Sequence, residues 1–129
     1  MSAPLAAAIS HVGRIRTENQ DSGYAGARLY FVADGMGGHA GGDVASAIVT
    51  RKAREADREY ETAEEAAQTL AAALRDGNDA LQQAMLEHPE LSGMGTTGSG
   101  IIRVGDRVGI AHIGDSRIYR YRVGALTQI

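Results

Sequence analysis

The chain of 129 residues contains no cysteine. This absence excludes a disulfide framework, a zinc site built from thiolates and a cysteine nucleophile. Aromatic side chains are few, with Phe31 beside five tyrosines, so we expect a core of small and β-branched residues. No apolar run approaches the roughly 20 residues that span a bilayer. The apolar N-terminus is short and lacks the basic start of a signal peptide.

The charged residues are of both signs and interspersed, with a net charge of −3. No stretch forms the basic stripe that is typical of nucleic-acid binders, so we expect no nucleic-acid partner. The length suits a single domain. With no membrane segment and no leader predicted, we expect a cytoplasmic protein.

The order of apolar and helical segments predicts an α+β fold, because two strands precede a pair of helices and a β-meander follows. We expect a first helix from Asp43 to about Glu59. Thr62 and Glu65 form a capping box for a second helix, which continues across Gly77 and ends near Pro89. The expected strands are residues 5–12, 29–33, 97–104, 107–113, 117–122 and 125–129, with a hairpin turn at 105–106.

The acidic loop Asp34-Gly35-Met36-Gly37-Gly38-His39 follows a short, continuously apolar strand. A carboxylate at such a strand end is rigidly held, and an adjacent glycine lets a backbone carbonyl approach the same point. Hard divalent cations bind oxygen ligands of this mixed kind. Taken alone, the loop fits a metal site and a plain strand-to-helix turn equally well.

The same segment also fits a dinucleotide fingerprint, since residues 35–40 follow the pattern G-x-G-x-x-A. Two features disfavour a nucleotide-binding domain. Asp34 would place negative charge beside the pyrophosphate. The acidic residues about 20 positions further on, Glu55 and Asp57, are predicted in a helix rather than at the end of a second parallel strand.

Three other segments, the first of them residues 16–21, contain residues that could belong to a functional site. Arg16 could clamp a phosphate with two parallel hydrogen bonds, and Asp21 could hold metal-bound water. Asp115 lies in the break Gly114-Asp115-Ser116-Arg117, and a glycine-rich segment covers residues 93–98. Each of the three, by itself, also fits an ordinary loop or turn.

In this order and spacing the segments resemble the metal-dependent protein phosphatases of type 2C, the serine/threonine phosphatases, and their bacterial members above all. Each motif is weak singly, but the ordered set is specific and covers nearly the whole chain. The matching stretches are residues 12–16, 19–21, 32–39, 41–46, 94–97 and 111–117, with Tyr119, Arg122, Gly124, Leu126 and Gln128.

The resemblance implies a four-layer α-β-β-α sandwich of antiparallel sheets with an antiparallel helix pair on a face. It implies that Asp34 bridges two Mn²⁺ or Mg²⁺ ions and that Gly35 binds one of them through its carbonyl. Asp21 would contribute through metal-bound water, and Asp115 would bind a third, weaker ion. Arg16 would bind the substrate phosphate.

The implied reaction is hydrolysis of phosphoserine or phosphothreonine on proteins by a metal-activated water, with substrates supplied by a serine/threonine kinase. The family domain is longer than this chain, and its later metal-binding aspartates have no counterpart here. We therefore expect residues 1–129 to be the N-terminal portion of the domain, truncated at the C-terminal end and inactive or only weakly active alone. The alternative is a non-catalytic interaction module.

Overall fold

The computed structural model describes residues 21–37, 41–114, 119–122 and 125–128. Two strands, then two helices and then a series of strands follow one another there, as the sequence predicts for an α+β protein, which confirms the fold class. The elements are β1 (Asp21–Ala25), β2 (Leu29–Met36), α1 (Gly41–Arg54), α2 (Ala63–Glu87), a 3₁₀ turn (Pro89–Leu91), β3 (Gly95–Thr96), β4 (Gly98–Val104), β5 (Arg107–Ile113), β6 (Tyr119–Arg122) and β7 (Ala125–Gln128).

The main sheet is antiparallel, with the strand order β1-β2-β4-β5, and β3 pairs with the end of β2. Strands β6 and β7 form a separate antiparallel hairpin. The turn at 105–106 joins β4 to β5 as predicted, and Gly105 adopts a φ of +62° there. The strand expected at residues 5–12 lies outside the described residues.

Both helices pack on one face of the main sheet. Strand β2 alternates between faces, so that Leu29, Phe31 and Ala33 are buried under the helices while Val32 and Asp34 are exposed on the opposite face. The largest fully buried side chains of the core are Leu29, Leu70, Leu74, Ile102 and Val49. The core therefore holds the helix-facing side of β2 fixed, and the exposed side presents its polar residues.

Helix α2 confirms Thr62 as the predicted N-cap and the predicted single helix. The Thr62 hydroxyl accepts a hydrogen bond from the Glu65 amide at 3.1 Å. The helix runs through Gly77, which is buried against Val49 of α1: a Cβ at this glycine would lie 3.2 Å from the Val49 Cγ2. The glycine thus permits the two helices to approach closely, which offsets its poor helix propensity.

The predicted ends of α1 and β2 were wrong, and strand β1 at Asp21–Ala25 was not predicted. Helix α1 begins at Gly41 and ends at Arg54, earlier than the expected end near Glu59, because the chain turns there and Asp57 binds the β1–β2 turn. Asp57 therefore lies in a turn rather than in a helix. Strand β2 extends to Met36, beyond the expected end at Ala33, because β3 supplies a pairing partner for Gly35 and Met36.

We expect Gly109→Ala to lower the free energy of unfolding by about 2 kcal/mol, a typical cost of overpacking. A Cβ at Gly109 would lie 2.6 Å from the Ala63 carbonyl oxygen and 2.8 Å from the Ala67 amide nitrogen, so α2 would have to shift away from β5. Urea unfolding followed by circular dichroism measures the effect. The matched control is Gly95→Ala, whose Cβ would make an ordinary 3.7 Å contact with Met36; equal losses in both variants would contradict the explanation.

Candidate metal and phosphate site

Asp21 and Asp34 are direct neighbours across the β1–β2 ladder, since their Cα atoms are register partners. Residues in such a pair project from the same face of a sheet, with Cβ atoms about 4.5–5.5 Å apart. Both residues are exposed. Two like charges directly opposite one another destabilise a sheet unless a cation lies between or beside them. The structure thus brings together two of the residues that the sequence predicted as metal ligands.

The backbone of Asp34 is fixed on both sides by Thr97, a residue to which the sequence analysis gave no role of its own. The Asp34 amide donates to the Thr97 hydroxyl at 3.0 Å, and the Thr97 amide donates to the Asp34 carbonyl at 2.9 Å. Thr97 is only 4% exposed. The carboxylate of Asp34 therefore projects from a backbone that cannot easily rotate, as a metal ligand requires. The only sequence signal was the Gly-Thr-Thr run next to the predicted strand.

The glycines after Asp34 let the chain pass close to Met94. Gly35 is buried and pairs with Thr96 across β2 and β3. Gly37 has a φ of +146°, a conformation that side chains disfavour, and a Cβ there would lie 3.1 Å from the Met94 Cα. Met94 itself is buried. Packing thus explains this glycine and this methionine, and the metal-binding role of the Gly35 carbonyl stays a prediction.

Strand β1 is anchored to helix α1 by two serines. The Ser22 and Ser46 hydroxyl oxygens are 3.0 Å apart, and the Ser46 hydroxyl donates to the Asp43 carbonyl at 3.3 Å. Ser46 is fully buried. Because Ser22 follows Asp21 directly, this contact fixes the strand end that carries the Asp21 carboxylate.

Asp57 organises the turn between β1 and β2. Its carboxylate accepts hydrogen bonds from the Tyr24 hydroxyl at 2.7 Å and from the amides of Ala27, Arg28 and Leu29 at 3.2, 3.0 and 3.1 Å. Burial acts to raise the pKa of Asp57, but these four donors outweigh it and lower that pKa below its ordinary value. The hydrogen bond to Asp57, followed by burial, raises the pKa of Tyr24. The sequence did not predict this role, because Asp57 and its donors are far apart in the chain.

The remaining predicted site residues, Arg16 and Asp115, lie outside the described residues. Within the described ranges, no group of three or more His, Asp or Glu side chains could hold a metal ion. The Asp21–Asp34 pair offers carboxylate oxygens only, which suits Mg²⁺ or Mn²⁺ better than a soft, thiolate-binding metal. The donor chemistry thus fits a hard divalent cation, for which this pair supplies part of the coordination.

The sheet thus presents a carboxylate pair suited to a hard divalent cation, and comparison with known proteins identifies the family. The model of the protein phosphatase 2C family matches residues 14–129. The chain belongs to this family, as its motifs predicted.

Among curated relatives, the chain is similar to the serine/threonine protein phosphatase PstP of Mycobacterium tuberculosis, with 49% identity over 123 residues. The match covers 95% of this chain and 24% of PstP. The serine/threonine phosphatase stp of Listeria welshimeri is 37% identical over 125 residues, which cover 91% of this chain and 50% of the relative. The chain thus spans half or less of the length of these relatives.

Solved structures agree with the fold. The crystal structure of M. tuberculosis PstP superposes with a TM-score of 0.88 at 49% identity, over 95% of this chain and 52% of that chain. The PstP catalytic domain in complex with two manganese ions gives a TM-score of 0.88 at 47% identity, over 95% of this chain and 53% of that one. Both structural matches support the fold of the described part of the chain.

Proposed function

We propose that this chain provides the N-terminal part of a catalytic domain that hydrolyses phosphoserine and phosphothreonine on proteins with the help of divalent metal ions. The observation that carries the proposal is the Asp21–Asp34 pair, which lies on the exposed sheet face of a protein phosphatase 2C family member. The relatives' names, serine/threonine phosphatases, support the substrate class.

In this proposal Asp34 and the Gly35 carbonyl bind the ions directly, and Asp21 acts through a water molecule. Asp115 would serve a third ion, and Arg16 would bind the substrate phosphate. When bound, Mn²⁺ or Mg²⁺ would acidify water and neutralise charge on the phosphoryl oxygens. The manganese complex of a relative supports two ions. The residue assignments rest on the family motif, on the register of Asp21 with Asp34 and on the backbone restraint from Thr97.

Phosphorylated proteins are the proposed partners. A serine/threonine kinase as their source and a cytoplasmic location remain predictions from the sequence. In the described ranges of the chain, neither helix combines the length and the apolar character that a membrane crossing needs.

A chimera tests the proposal. It joins this chain to the part of the M. tuberculosis PstP catalytic domain that the chain does not cover. We expect the chimera to hydrolyse a phosphothreonine peptide with Mn²⁺ and to lose this activity with a chelator. The 129-residue chain alone should show turnover near background, because the Asp21–Asp34 pair supplies too few ligands for two ions.

Two controls make the result specific to this chain. The PstP segment alone must be inactive, and Asp76→Asn, an exposed helix residue far from the pair, should leave the chimera's activity unchanged. A folded chimera without metal-dependent turnover would refute the proposal and favour a non-catalytic interaction module. Mn²⁺-dependent turnover by the chain alone would refute its description as an incomplete domain.

A further inference from the structure

A polar pocket lies at the opposite end of the main sheet from Asp34. It has a volume of about 180 Å³ and is lined by Arg28, Glu59, Tyr60, Arg103, Val104 and Gly105. Arg28 lies directly before β2 and six residues before Asp34, so the pocket is roughly 20 Å from the metal site along the strand. The pocket is therefore too far from Asp34 to belong to the proposed metal site.

Two arginines lie side by side at this pocket. The Arg103 amide donates to the Arg28 carbonyl at 2.9 Å, which places the residues next to each other on neighbouring strands. The Arg28 guanidinium contacts the Glu59 carboxylate at 2.7 Å, and the Glu59 side chain is 81% exposed. Glu59 thus neutralises one of the two guanidinium groups from the solvent side.

Arg103 has no such partner at its Nε. This nitrogen is buried, and it makes no hydrogen bond within the described part of the chain. A buried donor of a charged group without an acceptor is costly. Arg103 also forms no ion pair with a carboxylate of the described residues, so an oxyanion beside its guanidinium group would supply the missing negative charge.

The other charged residues near the pocket lie outside its lining. Arg58 stacks on the Tyr60 ring at 4.9 Å and donates from its Nε to the Tyr60 hydroxyl at 3.2 Å, which adds a third cation beside the pocket. Asp57 is directed to the amides of the β1–β2 turn. Asp106 follows Gly105 at the tip of the β4–β5 hairpin. Among the residues that line the pocket, two guanidinium groups thus face one carboxylate, that of Glu59.

We propose that this pocket binds a phosphate-class oxyanion through Arg103 and Arg28. The planar guanidinium group matches the spacing of phosphoryl oxygens and binds them through parallel hydrogen bonds. The pocket volume accommodates such an anion. The phosphate comes either as the free inorganic ion or as a phosphoryl group on a peptide, and both present the same oxygens.

The test is a titration of the isotope-labelled chain with inorganic phosphate in the presence of a chelator, followed through amide chemical shifts. We expect saturable shifts at Tyr60, Val104 and Gly105. Arg103→Gln should weaken binding by about tenfold or more. Glu59→Gln removes the competing carboxylate at an exposed position and should tighten binding by roughly two- to fivefold.

Arg75→Gln is the matched control, since it removes one exposed positive charge on α2 without touching the pocket. If Arg75→Gln and Arg103→Gln weaken phosphate binding equally, the loss reflects only the change in net charge, and the proposal is overturned. Absence of saturable shifts in both the native chain and Glu59→Gln would also overturn it, even where Arg103→Gln fails to fold.

A phosphothreonine peptide distinguishes the two sources of the phosphate. If it binds at the same residues at least tenfold more tightly than inorganic phosphate, the peptide-borne group is the ligand; comparable affinities identify the free ion. The chelator and the distance from Asp34 make this outcome independent of the proposed hydrolysis.

Discussion

Asp34→Asn is expected to weaken Mn²⁺ binding by the chimera by more than about a hundredfold, since even a residue that only supports a metal ligand contributes roughly 10–100-fold. The asparagine keeps the size of the side chain and its place on β2, but it removes the negative charge that a shared ligand provides to two cations. The backbone restraint from Thr97 is unaffected, because it involves only the Asp34 amide and carbonyl.

Asp21→Asn should have the smaller effect, on the order of 10–100-fold, if Asp21 acts through a water molecule as proposed. Calorimetric titration with Mn²⁺ measures both variants, and far-UV circular dichroism checks that they fold. Asp43→Asn is the control: it removes an exposed carboxylate in the first turn of α1, away from the sheet face. Equal losses at Asp21 and Asp34 would contradict the distinction between water-mediated and direct binding, and an unchanged affinity in Asp34→Asn would rule out this site.

The helices show which helix ends can be predicted from neighbouring residues and which cannot. Thr62 and Glu65 predicted the start of α2 correctly, because a capping box is made of residues three positions apart. The end of α1 was predicted too late. Its helical period continues past Arg54, but Asp57 makes its hydrogen bonds with the β1–β2 turn, about 30 residues away in the chain. A signal that distant is not visible in a helical pattern.

In the candidate site too, local sequence signals pointed to single residues but not to the long-range contacts between them. Asp34 stood out because a carboxylate beside several glycines after an apolar strand is rare and chemically useful. That Asp21 lies directly opposite Asp34 depends on the strand register, which follows from the turn at Gly26–Arg28 and not from either aspartate. Thr97 reaches Asp34 only because β3 and β4 return beside β2. The family motif associated these residues, and the sheet explains how they come together.

The Asp57→Asn variant should lose about 3 kcal/mol of unfolding free energy at neutral pH. Hydrogen bonds to a charged acceptor contribute about 1.5–3 kcal/mol each, and their contributions do not add fully when they share one carboxylate. An amide can still accept at its oxygen, but its NH₂ group faces donors that Asp57 accepts from. Tyr24→Phe removes only one of the four hydrogen bonds and should lose about 1 kcal/mol.

The stabilisation by Asp57 should depend on pH in a defined direction. Hydrogen bonds from Tyr24 and the turn amides lower the pKa of Asp57 in the folded chain despite burial, so the unfolded chain binds its proton more readily. The stabilising effect is therefore fully present above the ordinary aspartate pKa, about 3.9, and is lost as the pH falls below it through the folded-state pKa. Urea unfolding of the native chain and Asp57→Asn at pH 7, 5 and 3 measures the difference.

The expected result is a gap between the two proteins that is equal at pH 7 and pH 5 and smaller at pH 3. A gap that is constant down to pH 3 would mean that Asp57 contributes through packing rather than through its charge. The same variant also tests how the turn sets the strand register. If Asp57 fixes the turn, amide exchange in Asp57→Asn should accelerate at Arg28 and Leu29 more than at Asp34, whose amide is held independently by Thr97. The two ends of β2 would then be stabilised by separate contacts, with the turn dependent on Asp57 and the carboxylate pair dependent on Thr97.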